Sequence, residues 1–107
     1  MDITQAQVAV EQALNYIQDR GPNAMDSLLF VLSSIKAGAD SISVISILIA
    51  KYPALTQVID KLIALIQAGA SIPEIASMIA EFASGLSISM DALINLLYMI
   101  GGALALL

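Results

Sequence analysis

Cysteine, histidine and tryptophan are all absent from this chain of 107 residues. Without cysteine it can build no disulfide scaffold, thiolate zinc site, iron–sulfur cluster or cysteine nucleophile, and its redox compartment goes unmarked. Without histidine it lacks the commonest general base and the commonest transition-metal ligand. Acid–base or metal chemistry would have to run on carboxylates and lysines alone. The sequence singles out no catalytic residue, no cofactor-binding residue and no metal ligand, and the expectation is a protein that is not an enzyme and needs no cofactor.

Charge is the next scarcity. Charged side chains make up 12% of the chain, about half of what is ordinary. The basic ones are only Arg20, Lys36, Lys51 and Lys61, and the net charge is −5. Affinity for a phosphate backbone comes from lysine and arginine neutralising phosphates, so nucleic acid is not an expected partner. The same count disfavours electrostatic attachment to anionic lipid. Met1-Asp2-Ile3-Thr4-Gln5 offers neither a basic nor an apolar leader region, so no secretory signal is visible and the localisation stays unassigned.

Hydrophobic residues, by contrast, are 59%. A domain of this length leaves about a third or more of its chain surface in water, and thirteen charges cannot cover it. The apolar surplus must be diluted with serine, alanine and glycine, or covered by a like subunit, a lipid or another partner.

The pattern within that surplus is a repeat. Ala37-Gly38-Ala39 is followed by Ser41-Ile42, Ile45, Leu48-Ile49-Ala50 and Lys51-Tyr52; about thirty residues later Ala68-Gly69-Ala70 is followed by Ser71-Ile72, Ile75, Met78-Ile79-Ala80 and Glu81-Phe82. A helix stop and helix start used twice mark one supersecondary unit used more than once. The signatures of tetratricopeptide and ankyrin repeats are missing. The expected fold is all-α, a single domain over residues 1–107 with about six short helices and a helix-turn-helix repeat of roughly 30–31 residues, as a compact bundle or short solenoid.

Stop and start signals divide it into a cap helix at 3–19, hairpins at 24–52 and 54–84, and a terminal helix at 88–107. Asp2 and Thr4 can open the first helix, and Gly21-Pro22-Asn23 closes it. Leu28, Val31, Leu32 and Ile35 form the core stripe of the second, which Gly38 ends. Asp40 or Ser41 caps the third, with Ile42, Ile45 and Ile49 at helical spacing. Val58, Ile59, Leu62, Ile63, Leu65 and Ile66 line the fourth. Ser71-Ile72-Pro73-Glu74 is a capping box that opens the fifth, and Gly85 is its expected stop. Ser87 or Ser89 opens the sixth, which Gly101-Gly102 should end. Ile45 and Ile75 hold equivalent positions, so both should be buried, and truncating either to alanine should cost similar amounts, roughly 2–5 kcal/mol.

Several constellations have ordinary explanations. Glu74 and Glu81 lie about 10 Å apart on one helix face, a separation that glycoside chemistry can use; with no aromatic platform beside them they are a solvated stripe. The segment from Glu74 to the sixth helix faintly suggests a DNA-binding helix-turn-helix, but Gly85 comes too late after Ala76 and no lysine or arginine follows. Met78, Met90 and Met99 sit where core fillers are expected.

The run 92–107 carries no charge over sixteen residues, short of the twenty or so that span a membrane. Its leucines and isoleucines should therefore be covered by protein, from the chain itself or a neighbour, and Leu93, Leu96, Leu97, Ile100, Leu104, Leu106 and Leu107 are the expected interface. The functional expectation is a structural protein that self-associates through apolar helix faces into a homo-oligomer, filament or shell. The alternative is a membrane-inserting or hydrophobic-ligand-binding helical protein, and a third is an isolated, even artificial, helical domain.

Overall fold

The computed structural model describes residues 2–38 and 43–104. The expected caps Asp40 and Ser41, the core position Ile42 and the terminal Leu106 and Leu107 lie outside the described residues. Within them there are six helices and no strand: α1 (Ile3–Gln18), α2 (Ala24–Lys36), α3 (Ser43–Lys51), α4 (Leu55–Gln67), α5 (Ile72–Gly85) and α6 (Met90–Leu104).

Local chemistry accounts for most boundaries. The Asp2 carboxylate accepts from the Gln5 N–H at 3.1 Å and opens α1. Asn23 precedes α2 without a side-chain cap. The Ser71 hydroxyl accepts from the Glu74 N–H at 3.3 Å while the Glu74 carboxylate accepts from the Ser71 N–H at 3.4 Å, completing the capping box of α5. Ser89 caps α6, its hydroxyl accepting from the Ala92 N–H at 3.2 Å. Gly38 and Gly69 take left-handed backbone, at φ +80° and +76°, and end α2 and α4 as expected. After α4, the Gly69 N–H donates to the Ile66 carbonyl and the Ala70 N–H to that of Leu65, the paired bonds of a Schellman stop.

The other two glycine stops depart from expectation in different ways: α5 does end at Gly85, though not through that glycine's own backbone, and Gly101-Gly102 does not end α6. Gly85 is helical, and the left-handed residue that ends α5 is Ser87 at φ +58°; Ile88 donates to Ala83 and Ser87 to Ser84 in the same bonding pattern. Gly101 and Gly102 also lie inside a helix, since α6 runs on to Leu104. A Cβ on Gly101 would sit 3.2 Å from Tyr16 Cε1 and 3.3 Å from Ile17 Cγ1. That glycine serves the close approach of α1 to α6, not a turn.

The first helix is not a cap on the end of a stack. It packs most extensively against α5 and next against α6, while α2 packs on α4 and α6, α4 on α5, and α3 chiefly on α6. The result is a bundle. The repeat survives in which residues face inward: Leu28, Val31 and Leu32 are buried on α2 as Ile59, Leu62 and Ile63 are on α4, with Ile35 and Ile66 partly buried in both. Ile45 and Ile75, at 1% and 0% exposure, are buried alike. The partners do not repeat, since the close α4–α5 seam has no counterpart between α2 and α3.

The core holds apolar side chains only, and no buried side-chain nitrogen or oxygen among the described residues lacks a hydrogen bond. The accessible surface is 5642 Å², close to the ~5,700 Å² expected of a folded monomer of this mass. The radius of gyration of 12.5 Å matches the ~13 Å of a compact domain. Much of the outer surface is glutamine, serine, alanine and glycine, so dilution absorbs most of the apolar surplus.

Candidate functional site

The expected interface on the last helix is the first to be relocated. Leu93, Leu96, Leu97 and Ile100 are completely buried, and Leu104 nearly so, among the chain's own helices. Side chains enclosed by α1, α2 and α3 cannot meet a second copy without opening the bundle. The described part of α6 is a core helix, and the surface open to partners lies elsewhere.

It lies first on α3. This helix turns Ile45 and Leu48 inward, but Val44 and Ile47 project into solvent at 55% and 69% exposure, with Lys51 one turn further along the same stripe. Positions i, i+3 and i+7 share a helix face. Apart from Lys51, the nine residues of α3 carry no charge. Apolar residues on more than one face are usual for helices covered on more than one side, and α3 is packed chiefly on α6 alone. Phe30 is also exposed, but it stands alone on the outer side of α2 between Asp26 and Ser33, and a single exposed apolar residue needs no explanation.

Two concavities flank these elements. A cleft of about 480 Å³ opens where α2, α3 and α4 meet, with Ile35, Ile49 and Ile59 among its walls and Ser46 and Thr56 adding hydroxyls. Lys36 Nζ and Asp60 Oδ1 pair across 3.1 Å beside it. Both side chains are more than half exposed, so the pair orients more than it stabilises. A shallower groove of about 500 Å³ runs between α4 and α5, lined by Lys61, Met78, Glu81, Phe82, Gly85 and Leu86. Met78 is thus a surface residue, 41% exposed, and not the core filler its surroundings in the sequence suggested. Lys61 Nζ lies 5.7 Å from the centre of the Phe82 ring.

On the opposite flank α1 and α6 present an aromatic pair, Tyr16 and Tyr98, with ring centres 5.7 Å apart. Arg20 lies over Tyr16 at 4.8 Å and donates to its hydroxyl. The interaction is internal to the chain and closes the surface above Gly101.

Nothing in these places assembles a reaction. The Glu74 carboxylate is occupied with the backbone and hydroxyl of Ser71, which removes it from any pairing with Glu81. No cluster of three or more acidic residues that could hold a metal ion occurs among the described residues. No helix among them is long and apolar enough to cross a membrane; the fifteen described residues of α6 measure roughly 22 Å against the ~30 Å of a hydrocarbon core. Neither a protein-family model, nor a curated protein, nor a solved structure matches the chain. The functional assignment therefore rests on the chemistry of its surfaces.

Proposed function

We propose that this protein is a non-enzymatic structural component that self-associates, and that the outer stripe of α3 carries the contact. The observation behind it is that α3 turns apolar side chains to more than one side, Val44 and Ile47 standing in water while Ile45 and Leu48 are buried. Full burial of a valine or isoleucine contributes about 1.5–3 kcal/mol. Two such residues fall short of the roughly 8 kcal/mol that a micromolar complex requires, so a single contact is weak and the assembly gains strength from many copies or from further surface joined to this stripe.

Sedimentation velocity over a range of protein concentration, in buffer without detergent, tests this. The expected result is a concentration-dependent shift to larger species that Ile47→Ser suppresses. Monodisperse monomer at millimolar concentration overturns it.

The cleft between α2, α3 and α4 supports a second reading, the binding of a small apolar molecule. Its ~480 Å³ lies in the range of ligand pockets, and apolar walls with a few polar groups suit such a ligand. An environment-sensitive apolar dye should then bind with one-to-one stoichiometry and be lost when the partly buried Ile49 is replaced, Ile49→Asn, with helicity kept.

A further inference from the structure

Resting on the self-association reading, we propose the geometry of the contact: the α3 ridge of one copy seats in the α4–α5 groove of the next, head to tail, with Lys51 against Glu81.

The two surfaces each carry apolar side chains and offer opposite charges, Lys51 on one and Glu81 on the other. The ridge is Val44 and Ile47 followed by Lys51, the only charge on α3. The groove presents Met78, Phe82 and Leu86 with Glu81 at its edge. The Lys36–Asp60 pair is the ion pair formed among the described residues, and neither Lys51 nor Glu81 is salt-bridged to another described residue. Lys51 Nζ only overlies the neighbouring Tyr52 ring at 5.6 Å. Lys61, the other charge in the groove, is drawn over Phe82. The two positions are also equivalents in the repeat, thirty residues apart with opposite sign. Within one protomer the surfaces belong to different flanks, α3 on α6 and α5 on α1 and α4, so a second copy is needed to bring them together.

Gly85, the last residue of α5, leaves room for the same approach. It is helical, its φ is not positive, and a Cβ built on it would meet nothing within 4 Å, so a partner's side chain can come up against the helix backbone there. With α3 running antiparallel to α5 and Lys51 opposite Glu81, the four-residue step back along α3 brings Ile47 over Gly85, which lies four residues further along α5.

A contact between two different surfaces is heterologous and propagates into a ring or a filament. The test is charge reversal in trans. Lys51→Glu or Glu81→Lys alone sets like charges against each other and should weaken association by about tenfold at low salt. An equimolar mixture of the two single variants should associate like the wild type, because each copy then meets an opposite charge on both of its surfaces. The double variant K51E/E81K should recover as well, and it carries any cost of glutamate at the end of α3, so loss of helix cannot be mistaken for loss of contact. Gly85→Leu should block association with the fold intact.

Wild-type association that neither single reversal weakens, or that the mixture fails to restore, overturns the head-to-tail pairing and leaves self-association standing. A wild type that stays monomeric throughout overturns both.

Discussion

α3 and α5 grow from the same phrase of sequence and reach different situations. Both turn an isoleucine of the repeat into the core, Ile45 and Ile75. α5 has a capping box, a proline in its first turn, fourteen residues, and small side chains, Ala76, Ala80 and Ala83, that let it lie close against α1 and α4. The nine described residues of α3 lean chiefly on α6. Outward, α5 shows Glu74, Met78 and Glu81 to water, while α3 shows Val44, Ile47 and Lys51. Inward spacing decides burial in both copies; packed area decides how firmly each is held; the outward residues decide what each is free to do.

The largest expected effect that probes this contrast is core truncation. Ile75→Ala should lower unfolding free energy by about 4 kcal/mol and Ile45→Ala by about 2 kcal/mol, both within the range for buried isoleucine, because the thinner packing around α3 can relax into the cavity. Urea unfolding measures both; equal losses would mean that α3 is as tightly held as α5. Removing the cap comes next. Ser71→Ala should cost about 1 kcal/mol, read as a lower midpoint with unchanged slope. The smallest effect lies at the other end of α5, where Ser87→Gly relieves a left-handed serine and should stabilise by about 0.5 kcal/mol, since glycine's greater freedom in the unfolded chain offsets part of the gain. A destabilised Ser87→Gly variant would show that the serine side chain matters to the turn.

The sequence made the helices legible because their signals are local. Ser71 with Glu74, Ser89, Gly38 and Gly69 each act within a turn of where they stand. What escaped was non-local. Glycine serves equally for a left-handed turn and for a close approach, and only the arrival of Tyr16 and Ile17 shows which applies at Gly101. The leucines of α6 are apolar enough for either an interface or a core, and the choice was made by α1, nearly the whole chain away, packing across them. The exposed stripe of α3 was hidden for the opposite reason, since apolar residues on more than one face blur the periodic sign of which face is covered. Composition overstated the demand for a partner because glutamine, serine and alanine cover so much of the surface.

Amide hydrogen exchange at two protein concentrations tests the central claim, that α3 is the face left for a partner, most directly. In dilute solution the amides of α3 should exchange faster than those of α5, as expected of an element with little packed area. In concentrated solution α3 should become protected, and the backbone around Met78 to Leu86 with it, while α2 is unchanged. Exchange in α3 that is the same at both concentrations, in a sample that sediments as an oligomer at the higher one, would contradict the account.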